Sequence, residues 1–501
     1  MLPSTQSSIS WPMLITKSKF LAGNQCLKRL YWMVHSPELA VQPDESDQSI
    51  IEQGREIGLL AREMFPDGVA VESRDRDQAI RMTLELIANP DIPAIFEGAF
   101  EHEDVFVRVD ILQRCRDQRW RLIEVKSTTS VKDHHLADVA IQHRVVRGSG
   151  VDIAASCLAH VDRDYVYEGG LIDVHRFLNI KDLTRQVESV QPEVSIQLQS
   201  EFRILTMSEA PQISAGRQCS DPYTCEFFEH CNPPLPDDHI LRLPRIHSST
   251  VAKLVFLGVQ SIHDIPENYP LTKRLRRVCT SVQMRKPWYG SELQDELGKL
   301  TYPLYFMDFE TVNPAIPLFA GMRPYDQIPF QWSVHVQQQP GAEPDHFEFL
   351  ANDTSDPRPA FILTLSDALG DSGSIVVYSQ QFESQRLSEL AACLPEFARQ
   401  ITKIQGRLCD LLAIVRDHVY HPAFGGSYSL KSVLPALVPA MTYSGMVVAD
   451  GQAAGLAWES LIRGGLDRDE HDRIHKALLD YCGQDTLAMA KLVEVLRNSL
   501  C

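Results

Sequence analysis

The chain has 501 residues, 44% hydrophobic and 23% charged, with a formal net charge of -18. That length calls for two or three domains, and the composition excludes a disordered or fibrous protein. The acidic balance excludes a generally basic nucleic-acid coat, so a polyanion would have to be held locally, by metal ions and restricted basic stretches.

The opening residues "MLPSTQSSIS" lack the basic and apolar regions of a signal peptide, and no apolar run is long enough to cross a bilayer. The expectation is a cytoplasmic protein without a membrane partner. Eleven cysteines in that compartment do not predict a disulfide framework.

The segment "IEQGREIGLLAREMFPDG" (51 to 68) predicts a helix carrying Glu56, and "AIFEGAF" (94 to 100) a strand carrying Glu97. "VFVRVDILQRC" (105 to 115) and "RWRLIEVKST" (119 to 128) alternate apolar and polar residues around a turn, which predicts a hairpin. Alternation puts Glu124 and Lys126 on one face, where Asp110 from the neighbouring strand can converge with them. "DHHLADVAIQHRVVRG" then predicts a helix presenting Gln142. In "QCSDPYTCEFFEHC", Cys219, Cys225 and Cys231 recur at wide intervals, and Cys26 stands far upstream. Structural zinc sites space their cysteines more closely, so this pattern fits zinc less well; zinc and unligated buried thiols both stay open. Cys115, Cys157, Cys279, Cys393, Cys409, Cys482 and Cys501 read as ordinary core or surface thiols.

"CNPPLPDDH" (231 to 239) closes the first domain, taken as 1–235. A helical, partly basic connector follows over 236–296. Within "LTKRLRRVCTSVQMRKPW" (271 to 288), Lys273, Arg274, Arg276, Arg277, Arg285 and Lys286 are candidate phosphate contacts, although such a run also reads as a solvated face.

The last domain, 297–501, begins with the strand "YFMDFET" (305 to 311), which sets Asp308 and Glu310 on one face. Two like charges at that spacing need a cation between them or a proton on one, unless the strand is a solvated edge. Further acids arrive downstream. "SIVVYSQQFESQRLSEL" predicts a strand leading into a helix that starts near Glu383; "LCDLLAIV" offers Asp410; and "LLDYCGQDTLAMAKLVEVL" predicts a helix with Tyr481 and Asp485 on one face.

These motifs support two resemblances. Asp110, Glu124 and Lys126, with Gln142 downstream, resemble the RecB-like branch of the PD-(D/E)XK nucleases. That likeness implies that Asp110 and Glu124 hold magnesium or manganese, that Lys126 orients or activates water, and that Glu56 and Glu97 support the site. Val145 and Val146 stand where such nucleases carry a tyrosine. The four cysteines resemble the staple that holds a four-iron four-sulfur cluster in some of these nucleases.

Asp308, Glu310, Glu383, Tyr481 and Asp485 resemble the DEDDy branch of the DnaQ-like 3'-5' exonucleases, which have a ribonuclease H-like fold. The likeness implies that the four acids hold two magnesium or manganese ions and that Tyr481 orients the attacking water. It departs from the usual pattern at Glu383, where most such enzymes have aspartate, and Asp410 is a bracing or capping alternative.

The expected architecture is α/β, with the two nuclease domains joined by the connector. The expected activity is metal-dependent nucleic-acid hydrolysis, on DNA in preference to RNA, within a repair, foreign-DNA processing or defence system that supplies protein partners. The rival expectations are an RNA exonuclease with a degenerate first domain and an inactive nucleic-acid-binding scaffold.

Overall fold

A computed structural model describes residues 14 to 232 and 234 to 499; the "MLPSTQSSIS" segment and Cys501 lie outside them. The chain is a mixed α/β protein in two compact units. The first ends at Pro234 and also takes in Pro314–Asp326; the second starts at Leu235 and omits that segment.

In the first unit the elements run β1 (Ile15–Thr16), α1 (Lys17–Gln25), α2 (Leu27–His35), α3 (Glu45–Arg62), β2 (Val69–Ala70), α4 (Arg76–Ala88), β3 (Ala94–His102), β4 (Val105–Arg114) and β5 (Trp120–Lys126). They continue through α5 (Asp133–Gly148), β6 (Ile153–Val161), α6 (Val174–Phe177), β7 (Leu178–Asp182), α7 (Thr184–Ser189), α8 (Gln191–Leu205) and α9 (Phe228–Cys231). Among the described residues the sheet has the order β2-β3-β4-β5-β6-β7, with β1 against β4.

Both faces of this sheet are covered. Val107, Val109 and Leu122 pack with Val139, Val146 and Leu198 from the helices, whereas Ile111 and Ile123 pack with Ile57, Ala61 and Phe177. Between the pairs Gly98/Val109 and Phe96/Ile111, β4 changes the face it buries; Asp110 stands at that change, and Glu97 opposite has a φ of 56°. A positive φ at glutamate is uncommon and strained. The segment 314 to 326 is fastened by Gly321 N to Tyr167 O at 2.7 Å and Tyr325 Oη to Ser127 O at 2.5 Å.

The second unit contains α10 (Ser248–Phe256), α11 (Lys273–Met284), β8 (Trp288–Tyr289), α12 (Leu293–Gly298), β9 (Leu304–Val312), β10 (Ile328–Gln337), β11 (Asp345–Leu350), α13 (Arg358–Leu369), β12 (Ser374–Val377) and α14 (Gln380–Cys393). It ends with α15 (Ala398–Gln405), β13 (Leu408–Asp410), α16 (Leu411–His418), β14 (Val419–Tyr420), α17 (Leu430–Leu437), α18 (Gly451–Arg463) and α19 (Arg468–Asn498). Its main sheet runs β11-β10-β9-β12-β13, antiparallel on one side of β9 and parallel on the other.

The connector expected over 236–296 is not a separate body. Ile240, Leu254, Val278 and Leu297 share one core with Leu304 and Phe306 of β9 and Met489 and Leu492 of α19. Three of its six candidate phosphate contacts are also committed elsewhere. Arg274 pairs with Asp417 at 3.1 Å, Arg276 donates to Tyr269 O, and Arg277 donates to Asp417 O while lying 4.6 Å over the Trp288 ring. Lys273, Arg285 and Lys286 are exposed, Arg285 as a left-handed helix cap with a φ of 54°.

No helix among the described residues is long and apolar enough to cross a membrane.

Candidate active site

In β9 the residues Tyr305, Met307 and Phe309 enter one core, with α13 and α14, while Leu304 and Phe306 enter the other, against α19. Alternation therefore turns Asp308 and Glu310 to the α19 side. There α19 supplies Tyr481, Cys482 and Asp485, all buried. Strand β12 lies parallel to β9 through Ser374/Leu304 and Val376/Phe306, so the chain leaving its carboxyl end enters α14 beside Asp308 and delivers Glu383 in the first turn.

Helix α19 is held in register by polar contacts to β10. Gln331 Nε2 donates to Leu478 O at 2.7 Å, and Ser333 and His335 each meet the Thr486 hydroxyl at 2.8 Å. Ser333 is the cross-strand partner of Asp308 and Gln331 that of Glu310, so these bonds fix the helix directly behind the paired acids.

Burial drives the protonation of this cluster, and mutual repulsion adds to it. Asp308 is pushed well above the carboxylate range by burial and then by Asp485, Glu310 and Glu383. Burial followed by Asp485 raises Glu310 to about 8; burial raises Glu383 to about 8. Asp485 is lifted to about 6 by burial, with the Tyr443 hydroxyl and Lys431 opposing the rise. Glu383 Oε2 is buried and meets no hydrogen-bond donor among the described residues.

Lys431 thus opposes the rise of Glu310 and Asp485, and Glu383 keeps an unmet acceptor. Hard divalent cations meet that demand through oxygen ligands. Asp308, Glu310 and Cys482 bring ligand atoms within 4.8 Å of one another. The Cys482 thiol is held protonated by burial and by the neighbouring acids, so the oxygens are the donors.

Two residues of this site had no signal in the sequence. Tyr443, in the loop between α17 and α18, donates its hydroxyl hydrogen to Asp485 Oδ1. Lys431 Nζ lies 5.5 Å from the Tyr481 ring centre and 6.0 Å from that of Tyr443, with its hydrogen bond to Ala449 O. Asp410 caps α16 by accepting from Ala413 N at 3.0 Å, and its charge adds to the upward push on Glu383.

In the first unit Glu124 and Lys126 face α5. Lys126 Nζ lies 2.7 Å from Glu124 Oε1 and 2.6 Å from Asp138 Oδ2, and Lys17 Nζ lies 2.9 Å and 3.5 Å from the same two carboxyl groups. Gln142 Nε2 donates to Glu124 Oε2 at 2.7 Å and Asp138 Oδ1 at 2.9 Å. Burial acts to raise the Glu124 pKa, and the two lysines outweigh it and hold the group ionised. Asp110 is pushed up to about 7 by burial and by Glu124; its Oδ2 accepts from Val125 N at 2.8 Å.

A cavity of about 430 Å³ opens here, lined by Lys17, Arg62, Glu97, Asp110, Glu124 and Lys126 among others. Glu97 is paired with Arg62 at 2.9 Å. Glu56 is half-buried on α3 and is not among the lining residues, which on that helix are Gly54, Arg55, Gly58, Leu59 and Arg62. Three acids, Asp110, Glu124 and Asp138, here meet two lysines, whereas the second unit's site sets four acids beside one lysine. Lys17 and Asp138 were missed: Lys17 is remote in sequence, whereas Asp138 stands four residues before Gln142, a visible helical spacing.

Cys26 joins α1 to α2, while Cys219, Cys225 and Cys231 lie on the segment tied to those helices by Gln25 Nε2 to Gln218 O at 2.7 Å and Arg29 to Glu226 at 2.9 Å. The cysteines come near enough to act on one another: Cys26 bears on Cys225 and Cys231, and Cys219 on Cys231. The buried Trp32 Nε1 lies against the Cys231 thiol and opposes the rise that burial gives it. No three of these sulfurs meet the 4.8 Å spacing of the acid cluster.

Comparison with known proteins gives partial matches. The family described as "Domain of unknown function (DUF2779)" matches residues 305–429, which include Asp308, Glu310 and Glu383. A Mycoplasma pneumoniae protein named "Uncharacterized protein MG366 homolog" is 27% identical over 221 residues, covering 40% of this chain and 33% of that protein. Its Mycoplasma genitalium counterpart is 24% identical, covering 41% and 33%. The chain thus spans about a third of the length of these relatives. A solved structure, "Crystal structure of SSO0001", aligns with a TM-score of 0.22 at 12% identity, over 41% of this chain and 82% of that one.

Proposed function

We propose that this chain is a metal-dependent nuclease whose principal site, in the second unit, trims DNA from the 3' end, and whose first unit carries a second, RecB-like hydrolytic site. The observation that carries this reading is the convergence of Asp308, Glu310, Glu383 and Asp485 from β9, α14 and α19, with Asp308 half-buried and the other three buried. Gathering four acidic groups out of water costs stability, and a fold tolerates that cost where the groups receive cations.

Asp308, Glu310, Glu383 and Asp485 would hold divalent ions, which when bound supply charge neutralisation for the phosphate and a more acidic water. The chain's own groups do the rest. Tyr481 and Tyr443 set hydroxyls at the edge of the acid cluster, where they orient water and hold Asp485. Lys431 offers the phosphate backbone a cation next to the reacting group. In the first unit Asp110 and Glu124 are the ligands and Lys126 the water-positioning group. Its smaller excess of acids over lysines supports one ion, with Lys17 neutralising the rest. Cys26, Cys219, Cys225 and Cys231 would hold a four-iron four-sulfur cluster that pins the ends of the first unit together.

The test is digestion of 5'-labelled single- and double-stranded DNA and RNA with magnesium or manganese by wild type, Asp308→Ala and Lys126→Ala. A 3'-end ladder lost in Asp308→Ala, with residual cutting lost in Lys126→Ala, is the expected result. A ladder on RNA alone would replace DNA as the substrate, and no metal-dependent product on any polymer would leave a binding scaffold.

A further inference from the structure

A second cavity of the first unit, about 580 Å³, shares Lys126 with the first and is lined by Lys132, Asp133, His134, Asp138, Arg217, Asp221 and Tyr223, with parts of α1. One wall is the first turn of α5. The other is the loop between Cys219 and Cys225, so the cysteine segment builds part of the wall. Its size lies within the range of about 300–1,000 Å³ that receives small ligands.

The chemistry of the walls is mixed in a specific way. Tyr223 is 58% exposed and its ring lies 5.3 Å from that of His134, near perpendicular; its hydroxyl meets His134 Nε2 at 3.2 Å. Gln25 Nε2 donates to Tyr223 O at 2.7 Å and to Gln218 O at 2.7 Å, which holds the loop against α1. The ring is thus positioned from behind and open in front. Lys132 is exposed and has no ion-pair partner among the described residues, whereas Arg217 is paired with Asp221 at 2.7 Å. An open aromatic face answers to a base and the unpaired Lys132 ammonium group to a phosphate, while the Asp133 carboxylate occupies the first turn of α5.

We propose that this cavity holds one nucleotide of single-stranded DNA next to the scissile phosphate, its base stacked on Tyr223 and its phosphate against Lys132. The proposal rests on the nuclease reading of the Asp110, Glu124 and Lys126 site, and it adds where the strand lies. The loop between two cysteines then serves substrate binding, so the staple acts on affinity as well as on stability.

The experiment is fluorescence anisotropy of a labelled oligothymidylate with the full-length protein in calcium, alongside cleavage in manganese. Tyr223→Ala is expected to weaken binding roughly 5-fold to 100-fold, the range of one base stacked on an aromatic ring. Tyr223→Phe, which keeps the ring, is expected to bind as wild type. Lys132→Ala is expected to lower the salt dependence by about one phosphate contact. An oligonucleotide with abasic positions should bind wild type weakly and show no further loss with Tyr223→Ala. Should Tyr223→Ala and Lys132→Ala bind as wild type while Glu124→Ala abolishes cutting, the nuclease reading stands and the subsite falls. Failure of the wild type both to bind and to cut removes the nuclease reading, and the subsite with it.

Discussion

The Tyr443 hydroxyl donates to Asp485 Oδ1 across 42 residues of chain, and this bond ties the loop before α18 to the acid cluster. It also opposes the upward push on the Asp485 carboxyl, which stands at about 6. Removing it in Tyr443→Phe is expected to raise that value and leave less carboxylate at neutral pH. The acidic limb of the pH–rate profile should move to higher pH, and half-saturation should need more metal. Tyr481→Phe is expected to lower kcat about 100-fold with the limb in place, as for a lost water-orienting group.

Removing one acid of the second unit's cluster is expected to stabilise the metal-free protein. Asp308→Asn relieves repulsion from Asp485, Glu310 and Glu383, and a gain of about 1 kcal/mol raises Tm by about 2–4 °C for a unit of this size. Thermal melts in chelator should show that rise. The same melts with manganese should show wild type gaining Tm from ligand binding and the variant gaining little.

Away from both sites, Glu201 is fully buried on α8, accepts from Gln197 at 2.8 Å through Oε1, and leaves Oε2 without a partner among the described residues. Burial pushes its carboxyl from the ordinary 4.5 to about 8. Between those values the folded chain keeps a proton that the unfolded chain has released, so folding loses stability as pH rises through the window. Glu201→Gln is expected to be neutral near pH 5 and stabilising by about 2 kcal/mol near pH 8, measured by denaturant melts at both. Equal effects at the two pH values would refute the assignment.

The connector arginines yield a prediction opposite to the one their clustering invites. Arg277 spans from α11 to Asp417 O and covers Trp288, so Arg277→Ala should cost about 1–2 kcal/mol of stability. DNA affinity in the folded variant should be unchanged. A tenfold loss of affinity at full stability would return this helix to the nucleic-acid surface.

Much of this was legible because strand alternation and helix spacing are local. Asp308 with Glu310, Glu124 with Lys126, and Tyr481 with Asp485 each follow from a fixed period within one element. What stayed hidden is held by tertiary contact. Lys17 reaches Glu124 over 107 positions, and Tyr443 sits in a loop without periodicity. In the basic stretch, charge in the sequence does not show that an acid or a carbonyl engages Arg274, Arg276 and Arg277 while Lys273, Arg285 and Lys286 stay exposed. The same limit hid the connector's role: Leu254 and Val278 read as helix positions, and only their shared core with β9 shows that they support the strand bearing the acids.

The polypeptide passes between the two units at residues 234/235, 313/314 and 326/327. Strand β9 therefore leaves its sheet just after the acidic pair, and the chain returns to form β10 only after 13 residues that belong elsewhere. No single cut yields both halves intact. A fragment starting at 297 loses the connector's share of its core, and one starting at 235 carries an orphaned loop between the two strands that frame the acids. Whatever ancestry joined these two units, end-to-end fusion alone does not describe the product, and engineers who want either unit in isolation will have to redesign the β9–β10 link.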